Sequence, residues 1–227
     1  IFNFYILYFV FLIISFFIFI LIFRKFAKIF NLLDQNDYRK IHYGKIPLIG
    51  GITIYSTLIF NLYLFNINLN DIFIIIFYSS FIIILIGILD DIYNIPPYIR
   101  LLFQIISITI IINSGLSITS INYDGYSYSF GIFGYLFTTL CLVTVINAYN
   151  FIDGIDGLCS SIFLVPLSFI IFILFNQSGY DEIELFLTLF IIVFIFLIIN
   201  LFFIKSLKIF LGDNGSTFLG FILGCFL

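Results

Sequence analysis

The sequence predicts an all-α, polytopic transmembrane helix bundle, about eight helices long, with its N-terminus outside. Two observations on composition and one on charge placement carry that prediction. Of 227 residues, 63% are hydrophobic and only 9% are charged. A soluble domain carries about 25% charged residues because its surface must face water. The apolar residues also fall in runs long enough to cross a bilayer, which takes about 17–25 residues of helix. The bases, finally, are confined to alternate connections between those runs.

The expected helices span 4–23, 49–66, 72–89, 98–113, 130–148, 158–176, 183–204 and 216 onward. The first run, Ile1 to Phe23, shows no small-residue cleavage site and reads as a retained helix rather than a signal peptide. Pro47 and the Gly50-Gly51 pair shape the turn into the second. The third ends on Gly87-Ile88-Leu89-Asp90-Asp91. The fourth is short, a polar block separates the fifth from the sixth, and the eighth runs into the end of the chain. Gly220 and Gly224 form a small-xxx-small pair that suits close helix packing. No internal repeat divides the sequence, so residues 1–227 are expected to form one domain. With no Met and an apolar end at Leu227, it reads as a C-terminally truncated fragment.

If each helix crosses once, segments 24–48, 90–97, 149–157 and 205–215 share one side of the membrane. All nine Lys and Arg residues lie in them or at their helix junctions. The positive-inside rule makes that side cytoplasmic. Seven acids share it: Asp34, Asp37, Asp90, Asp91, Asp153, Asp156 and Asp213. Five of these sit at helix mouths far apart in sequence, where a common face would bring them together.

Four polar blocks could carry chemistry. The Asp90-Asp91 pair is costly near hydrocarbon unless a cation or a shared proton compensates it; alternatively it marks a solvated helix end. In Asn147-Ala-Tyr-Asn150-Phe-Ile-Asp153-Gly-Ile-Asp156-Gly157 the oxygen-bearing side chains recur every three residues. A helical turn would stack them, and oxygen ligands of this kind suit Mg²⁺. Gly212-Asp213-Asn214-Gly215-Ser216 is either a helix N-cap or an anion and metal site at a helix start. The basic loop from Tyr38 to Gly51 holds His42 and Lys45, whose cations suit a pyrophosphate, although topology alone explains a basic loop. The sole His excludes a Ser-His-Asp or Cys-His site in any recognisable context, and Cys141, Cys159 and Cys225 form neither a disulfide framework nor a zinc site. No basic run with interleaved aromatics points to nucleic acid.

Taken together, the blocks RKIHYGKIPLIGG (39–51), GILDD (87–91), NAYNFIDGIDGL (147–158) and GDNGS (212–216) resemble the polyprenyl-phosphate N-acetylhexosamine-1-phosphate transferases. The resemblance is strongest to the bacterial enzymes that use UDP-GlcNAc and undecaprenyl phosphate. It implies a phosphotransferase of the inner (plasma) membrane whose active site faces the cytoplasm. It also implies transfer of a HexNAc-1-phosphate group with release of UMP, Mg²⁺ (or Mn²⁺) as cofactor, and an architecture compatible with a homodimer. By resemblance, Asp213 and Asn150 are metal ligands, and Asp90, Asp91 and Asp153 are catalytic. His42, Lys45, Asn147 and Asp156 bind substrate, Asp156 at the uracil end. The family's C-terminal His-rich motif lies beyond this sequence. Two alternatives stand: a phospho-MurNAc-pentapeptide transferase of the same family, from whose pattern the KIPLIGG loop departs, and a cation-coupled transporter. Transporter sites sit near the bilayer midplane, whereas these acids lie at helix ends.

Overall fold

The computed structural model describes residues 2–34, 45–67, 69–176, 180–202 and 207–227. Among the described residues eight helices form: α1 (Phe2–Ile29), α2 (Gly50–Leu64), α3 (Asp71–Tyr93), α4 (Pro97–Asn113), α5 (Phe133–Ile152), α6 (Leu158–Asn176), α7 (Tyr180–Phe202) and α8 (Asp213–Phe226). Two small antiparallel pairs join them, β1 (Leu33–Asp34) with β2 (Ile46–Pro47) and β3 (Ser120–Tyr123) with β4 (Tyr126–Ser129). The all-helical membrane bundle expected from composition is the fold observed.

Several helix ends differ from expectation, each for a local reason. α3 carries Asp90 and Asp91 inside its last turns, because Asn94 adopts a left-handed conformation and closes the helix on the Asp90 carbonyl. α5 continues through Asn150 to Ile152, since its polar residues point at other helices rather than at lipid. α8 starts at Asp213, three residues earlier than its apolar run.

Among the described residues five helices are long and apolar enough to cross a membrane, while α2 and α4 have only 15 and 17 residues. α8 has 14, which at 1.5 Å per residue covers about 21 Å. That is less than the roughly 30 Å of hydrocarbon. α8 has no need to span it alone, because it is the interior of the bundle. It packs most extensively on α3 and α5, and Asn214 through Leu223 are buried without a break. The Gly220 and Gly224 pair works as expected: β-carbons there would meet Ile146 and Leu142 of α5 at 2.9 and 2.7 Å.

α1 presents the opposite surface. Ile6, Leu7, Ile14, Ile18 and Leu21 are exposed, whereas Leu12, Phe16 and Ile20 are buried against the bundle. Exposed apolar side chains on this scale are what a lipid-facing helix requires.

The bundle has a polar end. α3 and α5 finish there, α2, α4 and α8 begin there, and Arg24 near the end of α1 donates to the Lys208 carbonyl at 2.6 Å. At the other end, Asn70 before α3 meets Glu182 of α7 at 3.0 Å.

The β3–β4 hairpin was not anticipated. Its signal was present: Asp124-Gly125 flanked by alternating Ile121, Tyr123, Tyr126 and Tyr128. Both turn residues have positive φ, 49° and 80°, the requirement of the mirror-image turn that Asp-Gly favours.

Glycine marks where the helices approach most closely. A β-carbon at Gly51 would overlap Asn214 Oδ1 and the Gly215 backbone, and one at Gly87 would overlap the Asn214 backbone. Gly51→Ala should therefore cost at least about 2 kcal/mol through overpacking. Gly154→Ala, with nothing within 4 Å, should be near neutral. Thermal unfolding of the two variants in detergent micelles checks the contrast.

Candidate active site

The polar end is built around two helix starts that lie inside protein. The first N–H groups of a helix have no partner in their own helix. In α2 the Gly50 and Gly51 N–H groups donate to the carbonyls of Phe210 and Leu211 at 2.9 and 3.1 Å. The next donor, Ile52 N–H, goes to Asn214 Oδ1 at 3.0 Å. In α8 the N–H groups of Asp213 and Asn214 donate to the Asp91 carboxylate at 2.9 and 3.2 Å. Gly212, with φ 75°, is the turn that lets the chain enter α8 beside Asp91.

Asn214 crosses between these starts. Its Nδ2 donates to the Asp91 carboxylate at 2.6 Å and to the Leu48 carbonyl at 3.0 Å, while its Oδ1 serves α2. The side chain is fully buried. One amide therefore holds α2, α3, α8 and the loop before α2 in a single arrangement.

Beside this brace the acids converge. Asp90 is buried and accepts from Ile95 N–H at 2.7 Å and from Arg100 at 2.6 Å. Arg100, on the first turn of α4, also reaches Asp213 at 3.5 Å. Asn150 donates to the other Asp213 oxygen at 2.8 Å and to Ser216 at 3.2 Å. Asp153 stands at the C-terminus of α5, where its carboxyl is pushed up to about 8. Burial is the largest cause, followed by the charges of Asp213, Asp91 and Asp156. Asp213 is raised too, by burial and by its contact with Asp90, while Asn150 and Arg100 oppose the rise. Among the described residues Arg100 is the base in direct contact with this group of four carboxylates. A proton on Asp153, whose carboxyl is raised, lessens the repulsion among them.

The residues singled out in the sequence fare differently. Asp90, Asp91, Asn150, Asp153 and Asp213 come together. Asn147 lies one turn deeper on α5, where it donates to Gln104 of α4 at 2.9 Å and to the Val143 carbonyl at 2.8 Å. Asp156 pairs with Lys208 at the exposed rim. Lys45 is exposed at the edge of the loop, and His42 lies outside the described residues. Among the described residues no three His, Cys, Asp or Glu side chains form a ready-made metal cage.

Sequence reading missed Arg100, Asn214 and Gln104 as site-building residues. Arg100 was visible only as a topological base. Gln104 carried a sharper signal, an amide in the middle of a mostly apolar helix. Asn214 was legible as an N-terminal polar residue, but its cross-helix bonds depend on contacts more than 120 residues distant.

Fold and site thus define a polytopic membrane protein with a carboxylate-rich polar mouth at one end of its bundle. Comparison with known proteins makes that class specific: the chain belongs to glycosyl transferase family 4, which matches residues 72–227. It is 32% identical over 208 residues to the undecaprenyl-phosphate alpha-N-acetylglucosaminyl 1-phosphate transferase of Yersinia pestis, across 89% of this chain and 56% of that protein. It is 31% identical over 202 residues to the protein of the same name from Escherichia coli K12, across 87% of this chain and 55% of that one. The probable undecaprenyl-phosphate N-acetylglucosaminyl 1-phosphate transferase of Bacillus subtilis is 32% identical over 202 residues, with the same coverage of 87% and 55%. The chain spans about half the length of these relatives.

Two predictions follow from the geometry. Asn214→Ala leaves Ile52 N–H and the Leu48 carbonyl buried and unpaired, so stability should fall by about 2–4 kcal/mol, on the scale of about 1–3 kcal/mol per orphaned group. Chemical unfolding in micelles measures it. The second concerns pH. The native Asp153 carboxyl holds a proton that the unfolded chain releases, so the folded state binds more protons between pH 3.8 and about 8. Stability in chelator should therefore fall as pH rises through that window. Asp153→Asn should lessen the decline, with the neighbouring buried acids keeping the rest, in melting temperatures recorded across the range.

Proposed function

We propose that the protein transfers a HexNAc-1-phosphate group, GlcNAc-1-phosphate, from a UDP-sugar to undecaprenyl phosphate at the cytoplasmic face of the plasma membrane. The product initiates a lipid-linked surface glycan. The observation that carries this reading is the meeting of Asn150, Arg100 and Asp90 on Asp213 beside the raised Asp153. Among the described residues such a site has oxygen donors and the Arg100 cation, at the boundary where a lipid phosphate meets a water-soluble nucleotide. The relatives' names supply the lipid acceptor and the group transferred, and the family resemblance supplies the UDP carrier. The placement of the described bases supports a cytoplasmic site: Arg24, Lys25, Lys28, Lys45, Arg100 and Lys208 all belong to segments at the polar end.

An oxygen of the lipid phosphate attacks the sugar-bearing phosphorus of the UDP-sugar. A new P–O–P linkage forms, the bond from that phosphorus to the bridging oxygen breaks, and UMP leaves with the electron pair. Positioning and electrostatics suffice for such chemistry, with no covalent enzyme intermediate. The donor set suits Mg²⁺, with Mn²⁺ as a substitute, because Mg²⁺ takes one or two carboxylates plus phosphate oxygens rather than a complete protein cage. Asp213 and Asn150 would hold the ion, which when bound offsets the pyrophosphate charge. Asn150 lies within hydrogen-bond distance of Asp213, so a reorientation of its amide would turn an oxygen to the same point.

The chain's own groups do the rest. Arg100 fixes Asp90 and presents a cation to the reacting phosphates. Asp91 aims the start of α8, and with it Asp213. Asp153 would support the metal from beside Asp213, its proton given up if the ion were bound. Asp156 exchanges Lys208 for the uracil end of the nucleotide, while Lys45, with His42, meets the pyrophosphate. Asn147 steadies α5 against α4 below the nucleotide.

The test uses membranes carrying the protein, undecaprenyl phosphate and radiolabelled UDP-GlcNAc, with label read in the lipid phase. Transfer should require Mg²⁺ and fall at least about 100-fold in Asp213→Asn, the scale of removing one preorganised electrostatic partner. Label from another UDP-HexNAc alone corrects the donor. Metal-independent transfer, or full activity in Asp213→Asn, overturns the assignment.

A further inference from the structure

At the end of the bundle opposite the acids, the β3–β4 hairpin has an unusual division of side chains. The register pairs Ile121 with Tyr128 and Tyr123 with Tyr126; the alternate pairs are Ser120 with Ser129 and Asn122 with Ser127. Successive side chains of a strand point to opposite faces. One face is therefore wholly aromatic and aliphatic, and the other is wholly small and polar. All eight residues are exposed in the chain itself, with Tyr123 and Tyr126 at 74% and 68%. A lone two-stranded hairpin is marginal in water. An apolar face this complete needs a medium to bury it.

The surroundings identify that medium. The hairpin joins the far ends of α4 and α5 and is fixed to the latter. Ile118 N–H donates to Thr138 Oγ1 at 2.9 Å, and the Phe130 and Phe137 rings stack at 5.2 Å. Exposed Ile132, Phe133 and Leu136 continue from the hairpin base onto the outer surface of α5, a helix long and apolar enough to span a membrane. The apolar surface is thus continuous with the lipid-facing wall. Residues 101–204 contain no Lys or Arg, so the hairpin has no base with which to hold an anionic partner. Its own charge is Asp124, placed at the turn. Tyr is the residue type that settles at headgroup level, ring toward hydrocarbon and hydroxyl toward water.

We propose that the β3–β4 hairpin is a membrane-interface anchor. Its Ile121, Tyr123, Tyr126 and Tyr128 face lies on the lipid at the bilayer surface opposite the acidic site, and its Ser and Asn face lies in water. The anchor fixes the depth and tilt of α4 and α5, and through them the level at which Arg100 and Asn150 meet the opposite surface. This assignment depends on the membrane fold and not on the transfer reaction.

The chain has no tryptophan, so a single Trp reports on one position without background. Tyr126→Trp places it on the aromatic face and Ser127→Trp on the polar face; Tyr128→Trp repeats the first measurement on a neighbouring site. Each variant is reconstituted in phosphatidylcholine and phosphatidylglycerol vesicles, with plain or brominated acyl chains, and titrated with aqueous iodide. Tyr126→Trp and Tyr128→Trp should emit at shorter wavelength, lose most of their emission to brominated lipid and resist iodide. Ser127→Trp should do the reverse. Equal iodide quenching of both faces, without bromolipid quenching, places the hairpin in water and overturns the proposal. Shielding from both quenchers that disappears as protein is diluted in lipid overturns it in favour of a second copy of the chain as the covering surface.

Discussion

The arrangement of the polar end rests on a rule of backbone chemistry: helix N–H groups that begin inside protein must find acceptors there. Both α2 and α8 begin in that position. Carbonyls of the segment before α8 serve α2, and the Asp91 carboxylate serves α8. Asn214 completes the exchange by serving α2 with its oxygen while donating to Asp91 and Leu48. The exchange works only if the backbones nearly touch, which is why Gly50, Gly51, Gly87 and Gly215 line the junction.

From that brace the electrostatics of the site follow. An acid that holds a helix start is partly matched by the positive end of the helix dipole, and Asp91 is matched in this way. Asp90 is matched by Arg100. Asp213 is served by Asn150 and, at longer range, by the same Arg100, and Asp153 by no close base among its causes of shift. Among these acids Asp153 lies beside the others without a base among the causes of its shift. This cluster of carboxylates is what the proposed cation would meet. Membership of glycosyl transferase family 4 places this arrangement among proteins whose relatives are named for sugar-phosphate transfer to a lipid phosphate.

The two ends of the bundle manage the membrane boundary by different means. At the acid-bearing end, charged and amide side chains satisfy one another across helices. At the far end a short hairpin separates Tyr and Ile from Ser and Asn by strand alternation alone. Between them, α8 stays short because neighbouring helices, rather than lipid, surround it.

The sequence by itself determined the solvent, the helices and the side of each polar block. Apolar runs of spanning length admit no other structure in lipid, and charge placement is written residue by residue. It also determined that Asp90, Asp91, Asn150, Asp153 and Asp213 would share one face, because each sits at a helix end with a computable parity. The Asp124-Gly125 turn was legible as well, though overlooked between longer helical signals. Tertiary structure alone decided the partners. Arg100 faces Asp90 and Asp213, Asn147 turns to Gln104, and Asn214 braces three helices, since those choices depend on helix rotation and crossing. Rotation is set by packing of glycine against backbone over separations of a hundred residues or more, a distance at which local periodicity carries no information.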